Sequence, residues 1–240
     1  MVRVAAHLAC YLAIGSYLIV MFTLIRAGSW ARYPFATLLF CAQALKWLSL
    51  FGARIYLFGS LTPALILVRP FGDAVHYTIE AILLSFATLA TLEAFYCLTD
   101  HRLPPAEQKT LLILFSAAGF IAVAVSLGLH QGSSPSTWYR AIRQHWLTAL
   151  AIGPIVAALY LYLYSVPFGW RDRRHGLFLL VYNALWSAAG FIMPSTLRDH
   201  LIAQAVFYAS LSAILLCWRS TFEYRDSRYE LHFPGTRVMH

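Results

Sequence analysis

The chain has 240 residues, 60% of them hydrophobic and 12% charged, with a mean hydropathy of +0.65. A water-soluble domain carries about 25% charged residues, so this composition excludes an ordinary solvated surface and makes lipid the expected solvent. The net charge of +8 comes from basic residues lying between apolar runs, the pattern of a topology signal rather than of a nucleic-acid groove.

Stretches of about 20 apolar residues predict helices over 4–26, 34–58, 73–98, 110–130, 144–166, 176–194 and 198–219. The first run starts just after Arg3. It exceeds the apolar core of a signal peptide, about 7–15 residues, and lacks a small-residue cleavage site, so it is expected to span. Gly28-Ser29 and Pro34 separate it from the second run, with the ordinary chemistry of a helix stop.

The second predicted helix carries Gln43, Lys46, Leu50 and Arg54 at i, i+3, i+7 and i+11, a spacing that puts them on one stripe. On the third, His76 and Glu80 share a face at i, i+4. Ionisable groups inside a spanning helix are costly and mark function by default. Counted from the cytoplasmic end, Lys46 lies at roughly 18 Å, Arg54 at roughly 30 Å, Glu80 at roughly 27 Å and Glu93 at roughly 8 Å. Arg54 and Glu80 are thus matched in depth, Lys46 can lean toward either glutamate, and Glu93 faces away from Glu80. These residues predict a polar cavity or a structural ion pair formed by Lys46, Arg54, Glu80 and His76.

Pro104-Pro105, the Gly132-Ser133-Ser134-Pro135-Ser136 run, Pro167-Phe168-Gly169 and Pro194 end the remaining runs. Gly153-Pro154 breaks the fifth helix without a counterpart elsewhere, which argues against an inverted-repeat transporter. On the last two helices Asn183, Trp186, Ser187, Gln204 and Tyr208 are placed for interhelical hydrogen bonds or a cavity lining. The isolated Cys10, Cys41, Cys97 and Cys217 form no C-x-x-C pair and read as small apolar fillers.

Alternating the sides puts Arg26, Arg32, Arg102, Lys109, Arg171, Arg173, Arg174, Arg219, Arg225, Arg228 and Arg237 with the C-terminus. The other side holds Arg3, Arg54, Arg69, Arg140, Arg143 and Arg198. The positive-inside rule then predicts an external N-terminus and a cytoplasmic C-terminus. The expected architecture is an all-α polytopic bundle of about seven transmembrane helices over 1–219, followed by a short cytoplasmic tail at 220–240, in the bacterial inner membrane.

His7, His76, His130, His145 and His200 all fall toward the external side, and His7, His76, His145 and His200 are the metal or tetrapyrrole candidates. Beside Glu80, converging imidazoles would suit Zn²⁺, haem or a chlorin, although no H-x-x-x-H or H-E-x-x-H spacing fixes two ligands on one helix. Glu80 is the candidate acid/base should the chain be a metal-dependent lipid hydrolase. No serine stands in a nucleophile motif.

The helix layout, Arg32-Tyr33-Pro34-Phe35 at the start of the second helix and Glu93-Ala94-Phe95-Tyr96 at the end of the third resemble a group of uncharacterised bacterial seven-helix membrane proteins. That resemblance implies the fold and no activity. Microbial rhodopsins offer a contrast, because their retinal needs a lysine in the seventh helix and 198–219 holds none. The reading that follows is a non-enzymatic ligand-sensing or accessory subunit, with membrane lipids and other membrane subunits as partners. The alternatives are the lipid hydrolase and a haem- or chlorin-binding subunit of an electron-transfer or light-harvesting assembly.

Overall fold

The computed structural model describes residues 2–58, 72–99, 104–129, 135–163, 170–191 and 197–223. Among the described residues the chain is helical, without strands: α1 (Val2–Arg26), a 3₁₀ turn at Ser29–Ala31, α2 (Pro34–Phe58), α3 (Gly72–Thr99), α4 (Pro105–Leu129), α5 (Pro135–Leu163), α6 (Trp170–Phe191) and α7 (Leu197–Glu223). Three helical stretches among these residues are long and apolar enough to cross a membrane: Val4–Arg26, Val75–Cys97 and Arg198–Phe222. A shorter apolar run covers Pro34–Leu50.

Local chemistry sets the ends. After Arg26 the Ala27 and Gly28 N–H groups bond to the Thr23 and Ile25 carbonyls, and Gly28 turns into the left-handed region at φ 65°, the usual glycine stop. Pro34, Pro105 and Pro135 each occupy the first position of a helix, where the missing proline N–H costs nothing.

Four helices begin or end more than two residues away from the apolar runs predicted for them. Helix α4 starts at Pro105 rather than 110, α5 at Pro135 rather than 144, α6 at Trp170 rather than 176, and α7 continues to Glu223 rather than 219. The physical reason is the same in α5 and α6: a polar residue ahead of the apolar run, Arg143 in α5 and Asp172 in α6, is paired inside the protein, so the segment joins the helix although it interrupts the apolar pattern.

Helix α1 lies along α7 more extensively than any other pair. Its buried stripe is Ala6, Ala9, Cys10, Ala13, Tyr17, Val20 and Leu24, a helical repeat dominated by small side chains that let two backbones approach closely. Helix α2 packs on α1 and α3, α3 on α5 and α6, α6 on α5 and α7, and α4 against α5. The core is aromatic: Tyr17, Tyr33, Phe40, Tyr182, Trp218 and Phe222 are fully buried. Rings of Phe40 and Trp218 meet edge to face at 4.9 Å, and Phe40 and Tyr182 do so at 6.4 Å. The outside is apolar as well, with Leu12, Phe22, Ile113, Phe120 and Val206 all exposed, a surface that water-soluble monomers avoid.

Candidate functional site

Three helices bring their charges to one point in the core. Lys46 of α2 binds Glu80 Oε1 of α3, and Arg143 Nε of α5 binds Glu80 Oε2 at 3.0 Å. The side chains of Lys46 and Glu80 are only 9% and 7% exposed, whereas Arg143 reaches the surface at 26%. Withdrawing charges from water is expensive unless every one is paired. Here aromatic faces help: Lys46 Nζ lies 5.7 Å from the Trp47 ring and 5.9 Å from Trp186. The Arg143 guanidinium lies 5.3 Å from Trp186, so one indole serves both cations.

Beneath the triad is a cavity of about 20 Å³, lined among others by Gln43, Glu80, Arg143, Tyr182 and Trp186; it holds about one water molecule. Gln43 Nε2 donates to Tyr182 Oη at 3.2 Å, and Tyr182 Oη pairs with Tyr17 Oη at 3.1 Å. Further bonds tie the surrounding helices: Trp146 Nε1 donates to Thr88 Oγ1 at 2.8 Å, Thr148 and Ser187 hydroxyls meet at 2.6 Å, and Asn183 Nδ2 donates to Thr91 Oγ1 at 3.1 Å.

The sequence-predicted residues are distributed as follows. Lys46 and Glu80 are in contact, and His76 lies within electrostatic reach of Glu80. The Arg54 side chain lies outside the described residues. Arg143, which binds the second oxygen of Glu80, was missed, because it lies just before the apolar run predicted over 144–166. Its signal was the positive residue three before Trp146 in a helix whose start had been set too late.

Two of the described histidines bond within their own helices, and His130 lies outside the described residues. His145 Nδ1 donates to the Ala141 carbonyl of its own helix at 2.8 Å, and Gln204 Nε2 donates to His200 Nε2 at 3.1 Å, again within one helix. His7 is half-buried on α1. Among the described residues no three His, Cys, Asp or Glu side chains converge as metal ligands.

A second polar cluster lies where α1 ends and α2 begins. Arg32 Nη2 donates to both oxygens of Asp172 at 2.8 and 2.9 Å, and Tyr33 Oη donates to the same carboxylate at 2.9 Å. Burial alone would pull the Arg32 guanidinium down, but Tyr33 and Asp172 more than offset it and its affinity for the proton rises. Asp172 stands in the first turn of α6, where the helix dipole favours a negative charge. One turn on, the His175 ring packs at a tilt on Tyr33 with ring centres 4.2 Å apart, and Trp218 Nε1 of α7 donates to His175 Nδ1 at 3.1 Å. Neither Asp172 nor His175 was singled out in the sequence, since both sit inside the basic run Arg171–Arg174 and its flank; a lone aspartate among arginines was the available signal.

Compared with protein families, with curated proteins and with solved structures, the chain matches none of them.

Proposed function

We propose that the chain is a multi-pass protein of the bacterial cytoplasmic membrane, with seven spanning helices, an external N-terminus and a cytoplasmic C-terminus. In this reading it is a non-enzymatic ligand-sensing or accessory subunit, and its ligand is a small anion, a carboxylate being the simplest fit. The observation that carries this is the triad of Lys46, Glu80 and Arg143.

Two cations face one carboxylate there, so the cluster carries an excess positive charge in a low-dielectric setting, which favours an anion. Arg143 is the member that reaches the surface. An incoming carboxylate competes with Glu80 for its guanidinium, with the planar, bidentate geometry that arginine offers. Winning that competition loosens the tie between α5 and α3, and α5 is packed on α6. Ligand energy thereby becomes a change in helix packing, because a ligand shifts a conformational equilibrium by its differential affinity for the two states.

Tryptophan fluorescence tests this directly, because Trp186 lies against both cations. Purified protein in lipid nanodiscs is titrated with acetate, succinate and citrate against a chloride control. A saturable change that disappears in Arg143→Gln supports the site. No saturable response to the three anions, or a response unchanged in Arg143→Gln, overturns it. A reporter fused to the C-terminus and found on the external side would overturn the orientation separately.

A further inference from the structure

At the other end of the protein, a groove of about 860 Å³ opens between α1 and α7, within the range of about 300–1,000 Å³ typical of ligand sites. Leu18, Ile19 and Phe22 of α1 and Phe222 of α7 supply its apolar lining, and Arg26 and Arg219 line it as well. The Thr23 hydroxyl is turned back onto the Ile19 carbonyl at 2.8 Å, so the wall behaves as hydrocarbon. Among the described residues no aspartate or glutamate lines the groove.

Arg26 also answers the partial negative charge at the C-terminus of α1, whereas Arg219 lies outside the last turn of α7. What that task does not require is that both cations share one groove with a hydrocarbon wall. From Ile19 to Arg26 the wall runs roughly 10 Å along the helix, which matches the upper part of an acyl chain ending in a charged headgroup.

We propose that this groove binds an acidic phospholipid of the cytoplasmic leaflet, its phosphate between Arg26 and Arg219 and one acyl chain along Leu18, Ile19 and Phe22. The proposal rests on the membrane reading and orientation given above. Charge complementarity selects the occupant: the headgroup of an acidic lipid keeps its negative charge, whereas a zwitterionic lipid brings an ammonium toward two guanidiniums. Free phosphate satisfies the arginines and gains nothing from the hydrocarbon wall.

Delipidated full-length protein is titrated with phosphatidylglycerol, phosphatidylethanolamine or inorganic phosphate, and bound lipid is read by native mass spectrometry. Phosphatidylglycerol is expected to bind best, and Arg26→Gln with Arg219→Gln to weaken it about 30-fold, near five-fold for each arginine at a membrane surface. Ile19→Trp fills the groove with both arginines in place and is expected to weaken it as well; circular dichroism checks that each variant keeps its helices. Equal binding of the two lipids, undiminished phosphatidylglycerol binding in Ile19→Trp, or displacement of the lipid by millimolar phosphate overturns the proposal. Carbonate extraction of the native membrane separates the two readings: a released protein overturns both, and an embedded one without lipid preference overturns this one alone.

Discussion

Glu93 of α3 closes the amino-terminal end of α2 on Ala36: its Oε2 accepts the Ala36 N–H at 3.1 Å and that of the preceding Phe35 at 2.6 Å. A helix leaves its first N–H groups without partners, and Tyr33, at the position that normally caps, has no short side-chain oxygen to offer. The cap is therefore supplied from another helix. The segments around Arg32-Tyr33-Pro34-Phe35 and Glu93-Ala94-Phe95-Tyr96, far apart in the chain, are in contact for this reason.

Glu93→Ala is expected to destabilise the protein by about 1–2 kcal/mol, the value of a lost cap. Glu93→Gln keeps an oxygen acceptor and loses only the charge, so it should fall between the wild type and the alanine variant. Thermal unfolding in detergent, followed by circular dichroism, measures both; an alanine variant as stable as wild type would show that water satisfies these N–H groups.

The triad predicts an asymmetry. Glu80→Gln leaves two cations facing each other in the core and should cost about 3–5 kcal/mol, the penalty for stranding buried charge. Lys46→Met leaves Glu80 paired with Arg143 and should cost less. In a double-mutant cycle the two changes should couple by about 0.5–3 kcal/mol, as contacting residues do. Additive effects would mean that Lys46 and Glu80 are held independently.

How far the sequence reached depends on what surrounds each charge. Lys46 and Glu80 stood out because each is a lone ion in an apolar run, and nothing but function or pairing explains such a residue. Arg143 and Asp172 were hidden because they lie in polar turns that precede the apolar runs of α5 and α6, where a run-based reading places loops. Side-chain pairing across helices decides where those turns belong, and pairing is a property of the folded chain. The stretches Val4–Arg26, Val75–Cys97 and Arg198–Phe222 were plain for the opposite reason, being apolar almost from end to end.

The cluster around Asp172 gives a graded prediction. Tyr33→Phe removes one donor to the charged carboxylate and should cost about 1.5–3 kcal/mol. Asp172→Asn also breaks the two-oxygen pairing with Arg32, and bonds to charged groups are worth about 1.5–3 kcal/mol. Raised salt should leave most of the Asp172 effect in place, because the carboxylate is buried and screening acts mainly on exposed charges. Urea or heat titrations at low and high salt separate these outcomes; a loss that vanishes in salt would assign Arg32–Asp172 to the surface.

Gly119 is where α4 meets α5. A Cβ there would lie 3.2 Å from two ring carbons of Trp146, closer than ordinary contact. Trp146 cannot turn aside without giving up its bond to Thr88 Oγ1. Gly119→Ala should therefore destabilise the protein by about 1–3 kcal/mol, the usual result of overpacking, despite alanine's better helix propensity. Gly128→Ala, on the same helix with nothing within 4 Å of the new Cβ, should be neutral or slightly stabilising. If the two alanine variants unfold alike, α4 rests on α5 less closely than Gly119 and Trp146 require; if Thr88→Val also relieves the Gly119→Ala penalty, the indole is the part that has to move.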